Sequence, residues 1–278
     1  MNHSDPLIPG SLEELLDRIE GYSGRYILAA GGTDCLVKFG GRMSPRCRLI
    51  DISGVAELRG ISLEHDELRI GALETMTSLS EDAGVKQYAP CLAAAAAKVG
   101  SWQIRNRATV GGNVANASPA ADTPSALAAL DAVVLLTSRK GSRELPVPAF
   151  LTGPNRNALE PGELIRGFRI PLRHGRTSAF GKIGSRTELS IARLNLAAAI
   201  GGNTEPRVFV GTLGTAALRC PEAESALARN GASDPAPFCA ALSALVEKAI
   251  AGRSTLPYKR SAIQALGEDV LKTIEGIV

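Results

Sequence analysis

The residues of this chain with the clearest chemical potential are two pairs of glycines and their polar neighbours. The second pair lies in the stretch Thr109-Val110-Gly111-Gly112-Asn113, which contains no obvious nucleophile, general base or set of metal ligands. Adjacent glycines let the main chain approach a ligand closely and adopt backbone angles that a Cβ forbids. Successive N–H groups in such a turn form a concavity suited to an anion. We therefore predict that this stretch binds a ligand through its backbone.

The first pair lies far upstream, in Ala29-Ala30-Gly31-Gly32-Thr33-Asp34. Two such loops, each next to a strand or helix, suit a ligand that contains a pyrophosphate. Taken singly, each pair is equally compatible with an ordinary tight turn and helix cap, because short glycine motifs often occur without a ligand. The carboxylate of Asp34 likewise suits either a ligand or the cap of the turn that follows.

Capping residues and hydrophobic periodicity indicate the elements that would position these loops. Ser11-Leu12-Glu13-Glu14 is a capping box that opens an amphipathic helix. Residues 26–30 are predicted to form a buried strand that runs into the first glycine pair. Thr123 and Pro124 are predicted to open a helix after the second pair. The other predicted elements are strands at 48–52, 132–136, 163–170, 192–200 and 207–213, a hairpin at 60–72, and helices at 75–82, 90–99, from 235 and at 257–271.

Several other classes of site are excluded because their motifs are absent. The chain has no Gly-x-Gly-x-x-Gly fingerprint, no Gly-Lys-Ser/Thr phosphate loop, no His-Glu-x-x-His and no Gly-x-Ser-x-Gly. The cysteines are irregularly spaced and form no Cys-x-x-Cys, which predicts free thiols and no zinc or iron–sulfur site within the chain. The histidines are too scattered for a metal centre and are interpreted as surface or loop residues. These residues are Cys35, Cys47, Cys91, Cys220 and Cys239, and His3, His65 and His174.

The composition is that of a globular protein without affinity for nucleic acid or membranes. The 278 residues are 45% hydrophobic and 4% aromatic, which predicts cores built from Ala, Leu, Ile and Val. A formal net charge of +3, with scattered Lys and Arg, is too small to indicate nucleic acid. No apolar run reaches about 18 residues, and the polar start has no signal-peptide core. We therefore expect a soluble, cytoplasmic protein without a membrane span.

The glycine loops and several later motifs occur together in one order. These motifs are Ala30-Gly31-Gly32-Thr33-Asp34, the run from Gln103 to Asn113, Ser118-Pro119-Ala120-Ala121-Asp122, Pro161-Gly162-Glu163-Leu164-Ile165, Ile170-Pro171, Phe180-Gly181-Lys182 and Tyr258-Lys259-Arg260. In this order they closely resemble the FAD-binding subunit of the molybdenum hydroxylases. That family includes the flavin subunits or domains of xanthine dehydrogenase and carbon monoxide dehydrogenase. The resemblance covers nearly the whole chain.

The resemblance implies an α+β fold of the vanillyl-alcohol-oxidase/PCMH type. It predicts an FAD-binding domain over residues 1–174, with subdomains at about 1–57 and 58–174. A small α+β C-terminal domain is predicted over residues 175–278. In the family, FAD lies between the first two subdomains and both glycine loops hold its pyrophosphate.

The resemblance also implies the residues that contact the cofactor. The pyrophosphate and ribityl contacts fall on two stretches, Ala29, Ala30, Gly31, Gly32, Thr33 and Asp34, and Thr109, Val110, Gly111, Gly112 and Asn113. Asp122 matches an acidic FAD ligand, Ile165 a residue whose backbone touches the cofactor, and Lys182 a side chain near the flavin. No residue is expected to serve as a catalytic acid, a catalytic base or a metal ligand, because the chemistry belongs to the cofactor.

Three residues beside the second glycine pair are open to two interpretations each. Trp102 suggests flavin stacking, although the only Trp of a chain is more often an anchor in a core or an interface. Arg105 and Arg107 precede the glycines and suit either the attraction of phosphate or a solvated surface. We expect Trp102 to be a core or interface residue.

The function implied by the resemblance is electron transfer through noncovalent FAD. The flavin would take electrons from [2Fe-2S] clusters and pass them to NAD⁺ or another acceptor. The clusters and the molybdenum cofactor would lie on partner subunits, a small iron–sulfur subunit and a large molybdenum subunit. Relatives often have acidic residues before an Ile-Ala pair, where this chain has Leu189-Ser190. Because that loop lies on the acceptor side in relatives, the departure leaves the identity of the acceptor open.

Two other functions are compatible with the same motifs. The first is a free-standing FAD-dependent oxidase or reductase of the same fold. Such enzymes often bind flavin covalently through His or Cys, whereas this chain has no His between residues 4 and 64 and lacks room for a large substrate-capping domain. The second is a structural subunit that has lost FAD, against which the intact glycines of both loops argue.

Overall fold

Three hydrophobic clusters organise the computed structural model of the chain, which describes residues 6–20, 22, 24–38, 47–186 and 189–277. One cluster lies in the N-terminal part, one in the middle part and one in the C-terminal part. All three parts contain both helices and strands, which confirms the predicted mixture of helix and sheet. None of the described helices is long and apolar enough to cross a membrane.

The N-terminal part packs a helix against a two-stranded parallel sheet. The helix begins at the predicted capping box, where Ser11 Oγ accepts a hydrogen bond from the Glu14 N–H at 3.1 Å. Leu15 and Ile19 are buried on its inner face. The elements are α1 (Leu12–Glu20), β1 (Arg25–Ala29), α2 (Cys35–Lys38), β2 (Cys47–Asp51) and a 3₁₀ turn (Ala56–Leu58).

The middle part is built on an antiparallel sheet and a layer of short helices. Its elements are β3 (Ile61–Glu64), β4 (Glu67–Gly71), α3 (Met76–Glu81), α4 (Ala83–Tyr88), α5 (Pro90–Ala97), α6 (Trp102–Arg105), α7 (Val110–Asn116), α8 (Thr123–Ala129), β5 (Val133–Ser138), β6 (Gly141–Pro146), α9 (Val147–Phe150), β7 (Leu151–Gly153), β8 (Arg156–Asn157) and β9 (Leu164–Pro171). Five of the strands form one sheet in the order β3-β4-β9-β5-β6. The predicted hairpin of β3 and β4 turns at His65 and Asp66, both with positive φ.

Small side chains let the helices of the middle part pack closely. The alanine run of α5 is almost entirely buried, and α5 contacts α3, α8 and the first strand of the C-terminal part. Helix α8 is also buried along its whole length. A low aromatic content is therefore compatible with a dense core, as the composition predicts.

The C-terminal part is a four-stranded antiparallel sheet followed by three helices. Its elements are β10 (Arg176–Gly184), β11 (Ala192–Gly201), β12 (Thr204–Gly211), β13 (Leu218–Arg219), α10 (Pro221–Asn230), α11 (Pro235–Ala249) and α12 (Leu256–Ile274). Asp234 caps α11 by accepting a hydrogen bond from the Ala236 N–H at 3.3 Å, as predicted. Helices α10 and α12 cover one face of the sheet.

The other face of the C-terminal sheet contributes to the core of the middle part. Phe180, Ala197 and Phe209 belong to the same hydrophobic cluster as α5 and α8. The two parts therefore share a core, and β10 and β11 carry residues to the edge of the cleft described below.

Candidate functional site

The two predicted glycine loops lie on opposite walls of one cleft. A central cavity of about 300 Å³ is lined by residues 30–35 on one wall and by residues between Ala108 and Asn116 on the other. The walls are closest at Gly31, where a Cβ would collide with the carbonyl oxygen of Arg107. Asn116 Nδ2 donates a hydrogen bond to Asp34 Oδ2 at 2.7 Å, which links the two walls.

The first glycine pair presents a row of unpaired N–H groups to this cavity. Gly32 has a φ of +72°, a left-handed angle that turns the chain between β1 and α2. Within the described residues, the N–H groups of Gly31, Gly32, Thr33 and Asp34 have no hydrogen-bond partner. Successive free N–H groups in such a turn form a concave site for an anion. This loop therefore has the predicted form.

The second glycine pair does not form the predicted turn, because it lies in the capped first turn of α7. Val110 and Gly111 donate their N–H groups at 2.9 Å to carbonyl oxygens of the β4–α3 connection. Gly112 and Asn113 donate theirs to Thr109, to Oγ1 at 3.1 Å and to the carbonyl oxygen at 2.9 Å. All four donors are thus satisfied within the protein. The expectation of a second concavity of free N–H groups is wrong.

The glycines of α7 serve close packing rather than unusual backbone angles. Neither Gly111 nor Gly112 has a positive φ. A Cβ on Gly111 would lie 2.7 Å from the carbonyl oxygen of Ala72, so a larger residue would push α7 away from the sheet. A Cβ on Gly112 would meet only Thr109 Oγ1, at 3.0 Å, because Gly112 is exposed to the cleft.

The remaining residues of the stretches 29–34 and 109–113 lie either in the wall of the cleft or in the hydrophobic cores behind the wall. Thr33 and Asn113 line the central cavity. Ala29 and Val110 are buried, at 6% and 0% exposure, in the hydrophobic cores that support the walls. The Asn113 side chain accepts a hydrogen bond from Thr123 Oγ1 at 2.6 Å, which ties α7 to α8.

One end of the cleft widens into an apolar cavity of about 390 Å³ that shares Ala30 and Gly112 with the central cavity. Ile165 lies in its wall at the start of β9, so this predicted residue joins the site. Glu163 also lines this cavity and pairs with Arg143 through two hydrogen bonds of 2.7 and 2.8 Å. These hydrogen bonds lower the pKa of Glu163 below its ordinary value.

The opposite end of the cleft consists of two adjoining cavities of about 410 and 510 Å³. They share Gly100, Lys182, Leu189 and Ser190. The first of them also shares Thr33, Asp34 and Asn113 with the central cavity, so the cleft is continuous from end to end. Of the loop that contains Leu189 and Ser190, Thr187 and Glu188 lie outside the described residues.

A buried ion pair joins two predicted residues at this end. Lys182 Nζ donates to Asp122 Oδ2 at 2.5 Å, with side-chain exposures of 7% and 6%. Lys182 Nζ also donates to the Lys98 carbonyl oxygen at 2.8 Å. Burial raises the pKa of Asp122 because it disfavours the ionised carboxylate, and the Lys182 ammonium opposes that shift. An ammonium has three N–H groups, so Lys182 retains one donor beyond these two bonds.

Asn195 is a residue of this site that the motifs do not identify. It is fully buried on β11, and its Nδ2 lies 3.4 Å from Asp122 Oδ1. The sequence does contain a feature that could have identified Asn195: it is the one amide in the apolar run Leu194-Asn195-Leu196-Ala197. A buried amide within such a strand requires hydrogen-bond partners and therefore marks a specific polar contact.

Trp102 lines the larger end cavity and is 59% exposed, so it is not a core residue, and its role as an interface residue stays a prediction. The guanidinium of Arg105 lies 5.9 Å from the centre of its ring, within the range of cation–π attraction. Arg105 also donates to the carbonyl oxygen of Gly100 at 3.1 Å. The side chain of Arg107 is exposed. The surface interpretation thus describes Arg107, whereas Arg105 is half-buried and lines the larger end cavity, and its role in attracting phosphate stays a prediction.

The cysteines and histidines show no metal chemistry in the described part of the chain. None of the five cysteines forms a disulfide, as predicted. Burial raises the pKa of the Cys91 and Cys220 thiols to about 11. No group of three or more His, Cys, Asp or Glu among the described residues could hold a metal ion. His65 and His174 are exposed, as predicted, and His3 lies outside the described residues.

Residues 3–173 match the family model described as the FAD binding domain in molybdopterin dehydrogenase. The chain belongs to this family. It is 36% identical over 204 residues to the xanthine dehydrogenase FAD-binding subunit of Escherichia coli O157:H7, covering 71% of this chain and 70% of that protein. It is 38% identical over 170 residues to the nicotinate dehydrogenase FAD-subunit of Eubacterium barkeri, covering 59% of this chain and 57% of that protein.

A solved structure shares the fold of this FAD-binding chain. A chain of carbon monoxide dehydrogenase from Hydrogenophaga pseudoflava, in a form that lacks the Mo-pyranopterin moiety of the molybdenum cofactor, matches with a TM-score of 0.86 and 28% identity. The match covers 98% of this chain and 97% of that chain. The family resemblance is confirmed. The chain is therefore an FAD-binding oxidoreductase subunit of the molybdenum hydroxylase family.

The cleft of this FAD-binding chain fits the cofactor chemically. The unpaired N–H groups of residues 31–34 suit the diphosphate, because hydrogen bonds from N–H to a charged group are roughly twice as strong as neutral ones. The apolar cavity and the Lys182 end lie on opposite sides of these donors. An elongated ligand with two aromatic ends and a central diphosphate matches this layout.

Proposed function

We propose that the chain binds one FAD noncovalently along this cleft and acts as the electron-transfer subunit of a molybdenum-containing hydroxylase or dehydrogenase. The row of unpaired N–H groups at residues 31–34 carries the proposal. It lies at the middle of a continuous cleft, where the diphosphate of an extended FAD would lie. Two backbone hydrogen bonds to this diphosphate would contribute about 3–6 kcal/mol.

The two ends of the cleft differ in polarity, so each suits a different ring system of FAD, the adenine or the isoalloxazine. The adenosine would occupy the apolar cavity that Ile165 lines. The backbone of Ile165, at the start of β9, would lie beside it. The isoalloxazine would lie at the opposite end, beside the Asp122–Lys182 pair. Thr33 and Asn113 line the cavity between the two ends and would face the diphosphate and ribityl groups.

The residues of this chain bind and orient the cofactor rather than react. FAD, when bound, supplies the capacity to accept electrons singly and to release them in pairs. Lys182 places an ammonium at the flavin end of the cleft, where Asp122 offsets much of its charge. Gly31 lets the two walls of the cleft come close together, and Gly111 lets α7 pack against Ala72 behind its wall.

The partners in this proposal follow from the relatives. One relative is the carbon monoxide dehydrogenase medium chain of Hydrogenophaga pseudoflava, 34% identical over 161 residues, and others are called FAD-binding subunits. We therefore infer a small subunit with [2Fe-2S] clusters as electron donor and a large subunit with the molybdenum cofactor as the site of substrate oxidation. The final acceptor is NAD⁺ or another electron carrier. Assembly in the cytoplasm is part of the same proposal.

The proposal includes the domain organisation implied by the family. Its subdomains lie at about 1–57 and 58–174 and its C-terminal domain at 175–278; one hydrophobic cluster lies wholly within 175–278, and the other two include residues from both sides of a boundary. The two subdomains would form the PCMH-type FAD fold, with the cleft between them.

Flavin analysis of the purified chain tests the proposal. We expect about one FAD per chain, released into the supernatant by acid precipitation, and no stoichiometric iron, zinc or molybdenum. The isolated chain should not oxidise a purine, an aldehyde or an aromatic heterocycle, and addition of the two partner subunits should confer that activity. Flavin retained in the acid pellet, or a substrate oxidised by the chain alone, would favour a free-standing oxidase. A folded chain that takes up no FAD would favour the structural subunit.

A further inference from the structure

Residues 119–122, the segment that precedes α8 at the flavin end of the cleft, are hydrogen-bonded to the C-terminal sheet. We propose that Asn195 and Lys259 are positioning residues, which hold residues 119–122 against this sheet and thereby fix the Asp122–Lys182 pair beside the isoalloxazine. The inference rests on the proposed function, because FAD binding puts the isoalloxazine at Lys182. Neither residue reaches the cofactor in this arrangement; each acts through a neighbour.

Asn195 holds the segment directly. Its Nδ2 donates to the Ala121 carbonyl oxygen at 3.1 Å, in addition to its contact with Asp122 Oδ1. Its Oδ1 accepts from Ser125 Oγ at 3.0 Å and from the Gly211 N–H at 3.1 Å. An amide offers two donors and two acceptor positions; both donors and one acceptor position are used here, and the single hydrogen of the Ser125 hydroxyl is shared between Asn195 Oδ1 and the Asp122 carbonyl oxygen. The orientation of Asn195 is therefore determined, and so is the position of the carboxylate next to it.

Lys259 holds the segment through Thr212. The Lys259 ammonium donates to the Thr212 carbonyl oxygen at 2.8 Å. Thr212 has a φ of +67°, an angle that is strongly disfavoured for a β-branched residue and persists only where its surroundings impose it. The Thr212 N–H donates to the Pro119 carbonyl oxygen at 3.1 Å, and its Oγ1 donates to the Arg193 carbonyl oxygen at 2.6 Å. Lys259 thus stabilises a strained residue that contacts the other end of the same segment.

The consequence for the cofactor is electrostatic. Asp122 lies 2.5 Å from Lys182 and cancels much of the field that the ammonium exerts at the flavin end. If residues 119–122 loosen, the carboxylate moves away and Lys182 acts as a less compensated positive charge. That charge stabilises the reduced, anionic flavin. Loosening either anchor should therefore make the flavin reduction potential more positive, while the N–H groups that bind the diphosphate stay in place.

Three variants of the full chain separate this role from general stability. Asn195→Ala removes the direct anchor, Lys259→Met removes the anchor of Thr212, and Lys259→Arg retains a cation that can donate to the same carbonyl. Ser243→Ala is the matched control, because Ser243 is a buried polar residue of α11 that bonds only within its own helix, to the Cys239 carbonyl oxygen at 2.9 Å. Each protein is examined by amide hydrogen exchange and, after loading with FAD, by its visible spectrum and its reduction potential.

We expect Asn195→Ala and Lys259→Met to increase exchange at residues 120 and 121 at least tenfold without changing exchange at residues 110–113, whose N–H groups are also hydrogen-bonded. Both should bind FAD at the normal ratio, with a more positive potential and an altered visible band. Lys259→Arg and Ser243→Ala should match the wild type. Folded variants with wild-type exchange and potential would overturn the inference. If Asn195→Ala does not fold, Lys259→Met decides alone, and if the wild type binds no FAD, the proposed function fails while the exchange data still test the anchoring.

Discussion

At the scale of single residues, the four glycines of the two loops have different physical roles. Gly32 needs its positive φ, whereas Gly31 and Gly111 allow backbones to come close, and Gly112 meets little beyond Thr109 Oγ1. The sequence presents these residues as two equivalent Gly-Gly pairs. The sequence Gly-Gly does not show which of the two Cα atoms lies against a neighbouring carbonyl group. The different roles of the four glycines are therefore visible only in the structure.

The distinction predicts that Gly31→Ala is far more damaging than Gly112→Ala. A Cβ at residue 31 collides with the Arg107 carbonyl oxygen and separates the walls of the cleft, with an expected loss of about 1–3 kcal/mol or more. Gly31→Ala should therefore unfold at a lower temperature and lose its FAD. Gly112→Ala should fold and keep most of its FAD, because its Cβ needs a shift of only a few tenths of an ångström. Circular dichroism and the flavin-to-protein absorbance ratio measure both effects, and the reverse order would exclude Gly31 as the contact between the walls.

At the scale of elements, the sequence predicts most of the framework but not the helix that contains the second glycine pair. The capping box of α1, the β3–β4 hairpin and the Asp234 cap of α11 all occur where the motifs place them. Helix α7 begins directly at the glycines and is only seven residues long. Glycine disfavours helix by about 1 kcal/mol relative to Ala, so local propensity argues against it. Packing of Gly111 against Ala72 favours the helix instead, and that contact joins distant parts of the chain.

The sequence predicts which residues line the site more fully than it predicts how those residues are arranged. Both loops, Ile165 and Lys182 line one cleft, and Asp122 pairs with Lys182. The family motifs locate these residues because they share an order along the chain. Asn195 was not predicted, and the sequence left open whether Trp102 lies in a core or at an interface, since each depends on how β11 and α6 pack against the remainder of the fold.

The cap of α7 provides a prediction at the element scale. Thr109 Oγ1 accepts the Gly112 N–H at 3.1 Å, and Thr109 is 5% exposed. Thr109→Val keeps the shape but removes the acceptor, which should cost about 1 kcal/mol. Because the first turn of α7 forms one wall of the cleft, FAD affinity should fall several-fold as well. Chemical denaturation and FAD titration provide the two measurements.

A second cap serves as the control for this experiment. Asp82 Oδ1 accepts the Val85 N–H at 2.8 Å and caps α4, outside the residues that line the cleft. Asp82→Ala should cost a similar amount of stability and leave FAD affinity unchanged. An equal loss of affinity in both variants would show that the Thr109 effect reflects stability alone.

At the scale of the whole molecule, the C-terminal part completes both the core and the cleft. Phe180, Ala197 and Phe209 lie in the hydrophobic cluster of the middle part. The same sheet supplies Lys182 and Asn195, which contact Asp122 at one end of the cleft. A boundary near residue 174 therefore separates two regions of sequence that depend on each other physically.

We predict that a fragment of residues 1–174 neither folds stably nor retains FAD. Its core would lose two buried phenylalanines, each worth about 1.5–3 kcal/mol, and would expose the inner sides of α5 and α8 to water. Asp122 would lose the ammonium of Lys182 and remain as an unpaired carboxylate beside the cleft. Circular dichroism, gel filtration and the flavin-to-protein ratio of the fragment should be compared with those of the full chain. A fragment that is monomeric, cooperatively folded and fully loaded with FAD would show that the middle core is complete without β10–β12. The shared core would then be a docking contact between two independent domains.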